Sequence, residues 1–148
     1  MSTEKKILVF GASGMLGSYL SNYFERKGYK VIKSDMFEDK EKDIIGKDIT
    51  NERNLKVFVY EQNPDFVINC AAYTNVNKAE SEPEIANAVN AEAVKYMAEI
   101  SKEIKVPFIH VSTNEVFGNG AYDENSREFN PLNQYAKSKR KGEEYIEN

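Results

Sequence analysis

Two hydrophobic rhythms alternate along the chain. Ile7–Phe10 is a continuous apolar run that stops at Gly11, the pattern of a strand buried on both faces. Behind it Met15, Leu16, Tyr19, Leu20, Tyr23 and Phe24 recur at helical spacing. Gly28 stands where a helix over Met15–Arg26 would stop. Val31 and Ile32 open a second strand that finishes near Asp35, and the almost wholly charged Met36–Asp43 reads as a surface loop. Ile44–Ile49 is a short third strand. Thr50 is the expected N-cap of the next helix, with Arg53 in place of a capping-box glutamate. That helix runs to Gln62, where Asn63-Pro64-Asp65 breaks it. Phe66–Cys70 is the fourth strand. One long helix is predicted from Glu82 and Pro83 to Glu103, through Ile85, Val89, Val94, Met97 and Ile100. Pro107–Ser112 is the fifth strand, Gly118–Pro131 a loop, and a last helix runs from Asn133 to the end.

Strands alternating with helices define an α/β class with a parallel sheet. Short right-handed crossovers then give a Rossmann-type doubly wound sheet of strand order 3-2-1-4-5. The order reverses between the first and fourth strands, so a ligand is expected at their carboxyl ends.

The 148 residues suit one domain with a single core. Net charge is −4 with both signs interspersed, which does not point to a nucleic-acid partner. The densest basic run, Lys137–Lys141, is followed at once by Glu143 and Glu144 and reads by itself as a solvated helix face. The single cysteine, Cys70, excludes an intrachain disulfide and fits a reducing compartment. Ile7–Phe10 is too short for a signal-peptide core, and no run reaches membrane-spanning length. The expectation is a cytoplasmic protein with no membrane partner and no metal site.

Gly11-Ala-Ser-Gly14-Met-Leu-Gly17 follows a strand and opens a helix. The first glycine permits a tight turn, the second lets backbone approach a dinucleotide pyrophosphate, and the third allows close helix–strand packing. The helix N-terminus adds N–H donors and a positive dipole end. This marks Gly11, Ser13, Gly14, Met15, Leu16 and Gly17 as cofactor-binding residues. Asp35 lies 18 residues beyond Gly17, at the predicted end of the second strand. A carboxylate there accepts from adenosine ribose hydroxyls and repels a 2′-phosphate, favouring NAD over NADP. Lys30 and Lys33 nearby make that preference slight, and a solvated turn aspartate is the competing reading.

Tyr135 and Lys139 are four apart and share a helix face. A free tyrosine, with a pKa of about 10, is a poor proton donor near neutrality, and an adjacent ammonium favours its phenolate. Thr113, directly after the fifth strand, is placed to hydrogen-bond a substrate carbonyl. The order glycine loop, strand-end Ser112-Thr113, then Tyr135-x-x-x-Lys139 is the arrangement of the short-chain dehydrogenase/reductase superfamily. His110 inside a strand reads as a packed core histidine, and Cys70 as a small buried apolar residue.

The segment Pro64-Asp-Phe-Val-Ile-Asn-Cys-Ala-Ala-Tyr-Thr-Asn-Val-Asn-Lys-Ala-Glu-Ser-Glu-Pro83 resembles the hallmark of the dTDP-4-dehydrorhamnose reductase family. Gly11–Gly17, Ser112-Thr-Asn-Glu-Val-Phe117 and Asn130-Pro-Leu-Asn-Gln-Tyr-Ala-Lys-Ser-Lys139 extend the resemblance over nearly the whole chain. It implies NAD(P)H-dependent reduction of a 4-keto sugar nucleotide in dTDP-L-rhamnose biosynthesis, with Thr113, Tyr135 and Lys139 catalytic. It also implies that Asp48 and Ile49 flank the adenine, and that Ala71, Ala72 and Tyr73 line the pyrophosphate and nicotinamide ribose. Strand-end packing is the other reading of these positions. Tyr135 and Lys139 would also touch the cofactor, Asn90 would be structural support, and a homodimer is an assembly the resemblance allows.

Two departures qualify the match. Asn114 and Glu115 stand where the family usually shows an aspartate and an aromatic. Thr-x-Glu is similar to sugar-nucleotide 4,6-dehydratases, whose glutamate is an acid/base, whereas a solvent or substrate-hydroxyl contact is the preferred reading of Glu115. The chain also stops nine residues after Lys139, at about half the family's length. The expectation is therefore an incomplete NAD(P)-binding domain over 1–148, without its sugar-nucleotide-binding part and inactive alone. A 4,6-dehydratase or epimerase, or a non-catalytic regulatory subunit, is the alternative.

Overall fold

The structure, a computed structural model, describes residues 4–148. Strand β1 (Lys6–Phe10) leads through the glycine loop into helix α1 (Met15–Arg26), followed by β2 (Lys30–Asp35) and β3 (Ile44–Gly46). Helix α2 (Glu52–Gln62) returns to β4 (Phe66–Asn69), and two short helices follow, α3 (Val76–Ser81) and α4 (Pro83–Asn87). A π-helical turn, Ala88–Glu92, joins α4 to α5 (Ala93–Glu103). Strand β5 (Phe108–His110), a 3₁₀ turn over Asn114–Phe117 and helix α6 (Gln134–Glu147) complete the order.

The five strands are parallel in the order β3-β2-β1-β4-β5, as the alternating pattern predicts. Leu8 of β1 registers with Ile32 of β2 and Val67 of β4. Side chains alternate across the sheet. Leu8, Phe10, Ile32 and Val67 pack on one face against Leu55, Phe58, Val59, Met97 and Ile100 of α2 and α5. Ile7, Val9 and Ile68 pack on the other against Leu20 and Phe24 of α1. Burial on both faces is why β1 and β4 read as unbroken apolar runs.

Several boundaries move. The N-cap of α2 is Asn51, whose side chain accepts from Asn54 N at 3.0 Å. Thr50 instead donates to Asp48 Oδ1, closing the turn before the helix. Strand β3 ends at Gly46 rather than Ile49, β4 at Asn69 rather than Cys70, and β5 covers Phe108–His110 rather than Pro107–Ser112. The single long helix is α4, the π turn and α5, and α3 lies ahead of it in a stretch without a predicted element. The Lys137–Lys141 face is not wholly solvated: Lys139 is 2% exposed and Arg140 lies over the Phe129 ring at 3.5 Å. Among the described residues no helix is long and apolar enough to cross a membrane.

Candidate dinucleotide site

The carboxyl ends of β1 and β4 open onto a cavity of about 890 Å³. Its wall contains Gly11, Ser13, Gly14, Met15, Leu16, Gly17, Asp35, Asp48, Ile49, Ala71, Ala72 and Tyr73. These are all the residues expected to contact cofactor except Tyr135 and Lys139. They come from four separate stretches of chain, which the crossover order brings to one switch point.

The glycines have distinct local causes. Gly11 has φ +72°, and a Cβ there would lie 2.5 Å from Ala71 N, so the loop lies directly against the end of β4. A Cβ on Gly17 would meet Gly11 O at 2.1 Å; this glycine seats α1 on the loop. Gly14 has ordinary extended backbone and only Gly11 O, at 3.4 Å, beside its missing Cβ. Packing therefore requires Gly11 and Gly17, while Gly14 is left facing the cavity.

On the far wall, Ala71 N donates to Asn69 Oδ1 at 3.0 Å. Tyr73 is gripped by Asn90, whose Oδ1 accepts from Tyr73 N at 2.8 Å and whose Nδ2 donates to Tyr73 O at 3.0 Å. The Tyr73 hydroxyl donates to Glu82, which pushes its pKa above the usual tyrosine value. Asn90 Nδ2 also donates to Ser138 Oγ at 3.0 Å, tying this wall to α6. Asn90 is thus the structural support the resemblance implies.

The catalytic candidates Thr113, Tyr135 and Lys139 are not part of this cavity's wall. Lys139 Nζ donates to Val111 O at 2.7 Å. Burial lowers its pKa to about 8, against the raising charges of Glu143 and Cys70. Cys70 corrects an expectation: it is half-buried and lines the cavity, with its thiol pKa raised by burial. Tyr135 is half-buried at the start of α6, whose first amide donates to Glu80 Oε1 at 2.6 Å. Thr113 Oγ1 accepts from Glu115 N at 3.3 Å, which leaves its O–H proton to donate elsewhere. Thr113 borders a second cavity of about 910 Å³ with Ser112, Asn114, Phe117 and Tyr122. Glu115 is exposed, and Asn114 donates to the Tyr122 hydroxyl at 2.8 Å.

His110 is half-buried, accepts from Asn69 Nδ2 at its Nδ1 and has a pKa lowered to about 3, first by burial and then by the Lys139 charge. Its role is packing and alignment of β4 with β5. Sequence reasoning passed over Met36, Lys47, Thr50, Thr74, Glu84, Ile85, Ala88 and Val89, which complete the cavity wall. Lys47, directly before Asp48, was the one signal available: a cation inside the predicted third strand, which the structure places just beyond the end of β3. Lys33 is held by Glu25 at 3.2 Å and does not line the cavity.

A parallel 3-2-1-4-5 sheet with a glycine loop at its switch point defines a Rossmann-type dinucleotide-binding α/β protein. More narrowly, the chain belongs to the RmlD substrate binding domain family, whose model matches residues 5–148. It is 38% identical to the probable low-salt glycan biosynthesis reductase Agl14 of Haloferax volcanii, over 93% of this chain and 47% of that protein. Identity is also 38% to the dTDP-4-dehydrorhamnose reductase of Mycolicibacterium smegmatis, over 96% of this chain and 41% of that one. The crystal structure of dTDP-4-dehydrorhamnose reductase from Bacillus anthracis in complex with NADP superposes with a TM-score of 0.84 at 31% identity, over 99% of this chain and 50% of that chain. The chain spans about half the length of the relatives it matches.

Proposed function

We propose that this chain is the cofactor-binding half of an NAD(P)H-dependent reductase acting on a 4-keto sugar nucleotide, of the dTDP-4-dehydrorhamnose type. The observation that carries this reading is the convergence of the glycine loop, Asp35, Asp48–Ile49 and Ala71–Tyr73 on one cavity. The names of its relatives support the same chemistry. The bound nicotinamide supplies the hydride. Around it, backbone amides of the glycine loop face the pyrophosphate, and Asp35 meets the adenosine ribose, which favours NAD slightly. Tyr135 gives its proton to the carbonyl oxygen, Thr113 donates its free O–H to that oxygen, and Lys139 holds the helix end against β5 beside the ribose. Residues outside 1–148 build the rest of the sugar-nucleotide pocket, because positioning the sugar needs a second wall. A single thiol and the absence of a membrane-spanning helix in the described residues suit the cytoplasm.

Titration with NADH tests the reading directly. The chain should quench or shift the cofactor's fluorescence, and Gly14→Val should remove the effect, because its branched side chain would fill the space the pyrophosphate needs. With a full-length relative carrying these 148 residues, NADH consumption should depend on a 4-keto sugar nucleotide. Conversion of a 4-hydroxy sugar nucleotide with no net NADH change would mean a dehydratase and return Glu115 to an acid/base role.

A further inference from the structure

Asp35 does not stand free at the end of β2. Its Oδ2 accepts two hydrogen bonds from Ser13, one from the backbone N–H at 2.9 Å and one from the hydroxyl. Its Oδ1 accepts from Met36 N at 2.8 Å. An ionised carboxylate offers about four lone-pair sites, so these three bonds leave room for one more donor. A ribose 2′,3′-diol presents two. The bond from the Ser13 hydroxyl also draws charge density on Oδ2 toward Ser13, which weakens the repulsion a 2′-phosphate would feel. Around the carboxylate, Lys47 is the single Lys or Arg in the cavity wall, and its backbone N–H donates to Asp35 O at 2.7 Å. Its ammonium lies 5.0 Å from the centroid of the Phe58 ring, while Lys33 is held by Glu25.

We propose that the Ser13 hydroxyl is a cofactor-specificity determinant: by occupying Asp35, it lets one site accept both a free 2′-hydroxyl and a 2′-phosphate. This rests on the reading of Asp35 as the ribose contact. The backbone N–H of Ser13 holds the loop to Asp35 in any variant. The hydroxyl is therefore dispensable for the loop's shape, and its effect falls on the acceptor capacity and charge of the carboxylate. A threonine keeps that hydroxyl; an alanine removes it and nothing else.

The test is a pair of titrations, NADH and NADPH, on the full chain and on Ser13→Ala, Ser13→Thr and Asp35→Asn. Ser13→Ala should tighten NADH by roughly tenfold to a hundredfold, the worth of one hydrogen bond to a charged acceptor, and leave NADPH unchanged or weaker. Ser13→Thr should keep the native ratio. Asp35→Asn should shift the ratio toward NADPH. A ratio unchanged in Ser13→Ala but shifted in Asp35→Asn overturns the role of Ser13 and leaves Asp35 as the ribose contact. A ratio unchanged in Asp35→Asn removes the ribose contact and the proposal with it.

Discussion

Lys139 Nζ donates to the carbonyl oxygen of Val111 at 2.7 Å from a side chain that is 2% exposed. This ties α6 to the chain leaving β5 and puts an ammonium where solvation is poor. Burial holds its pKa at about 8, whereas an unfolded lysine titrates near 10.4. The unfolded chain therefore binds more protons between these values, and stability contributed at this site rises as pH climbs from about 8 toward 10.5. Below pH 8 both states are charged and the penalty is constant.

Urea unfolding of the wild-type chain and of Lys139→Met across that range checks this sign. The difference in unfolding free energy should move in favour of wild type with rising pH, by on the order of 3 kcal/mol. Subtracting the variant cancels the tyrosines and other lysines that titrate in the same window. A pH-independent difference would show that Nζ is solvated in solution.

His110 gives the same sign in a lower pH window. Its pKa of about 3 lies below the unfolded value near 6.5. Stability from this group is thus present above about pH 6.5 and is lost as pH falls toward 3, when the unfolded state takes up the proton first. Because Nδ1 accepts from Asn69, Nε2 carries the proton. As the sole histidine of the chain, its imidazole nitrogen shifts can be followed without assignment. They should show the Nε2–H tautomer and no titration between pH 5 and 8. An inflection near 6.5 would refute the packed placement.

The sheet was legible because β1 and β4 are buried on both faces, so Ile7–Phe10 and Phe66–Ile68 show no polar break. The cavity wall was legible where a residue type is forced, as at Gly11 and Gly17, or where a resemblance covers it, as at Ala71–Tyr73. Helix α3 was not read, since six residues with only Val76 and Ala79 apolar carry no period. Its cap, Asn75 accepting from Lys78 N at 2.9 Å, was the sole local cue. The π turn had none: Ala88–Glu92 is ordinary helical sequence. At that turn Asn90 O lies 2.3 Å from where a Cβ on Gly142 would be, and Asn90 reaches both Tyr73 and Ser138. Those partners come from distant chain, so no local pattern announces them. Lys47 and Glu84 likewise reach the cavity only through the crossovers.

The glycine loop separates folding from binding. Gly17→Ala drives a Cβ to 2.1 Å from Gly11 O, a backbone clash that shifts α1 or the loop, and should destabilise the chain by about 2 kcal/mol or more. Gly14→Ala makes only a 3.4 Å contact with the same oxygen at a backbone conformation alanine adopts freely. It should keep native stability and lose NADH affinity. Thermal melts paired with NADH titration check both. Equal loss of stability in the two variants would contradict the packing described for Gly14.

Asn90 yields the sharpest test of how the cavity wall is coupled to α6. It is fully buried and makes three side-chain hydrogen bonds: one accepted from Tyr73 N and two donated, to Tyr73 O and Ser138 Oγ. Asn90→Ala strands the backbone groups of Tyr73 and should cost about 2–4 kcal/mol, more than the loss of one exposed bond, because the desolvation of the partners is left uncompensated. Asn90→Asp separates the two halves of the grip. It keeps an acceptor for Tyr73 N but sets a carboxylate against Tyr73 O, with no donor for it. Burial and the facing carbonyl raise that carboxyl's pKa, so its destabilisation should be greatest at neutral pH and should shrink as pH falls and the acid becomes a donor. Urea unfolding at two pH values reads this, and hydrogen exchange at the Tyr73 amide localises it. Protection of that amide should fall in Asn90→Ala and be retained in protonated Asn90→Asp. Unchanged protection in both variants would mean that Tyr73 is held by the sheet end alone and that α6 is not linked to the cofactor wall through this side chain.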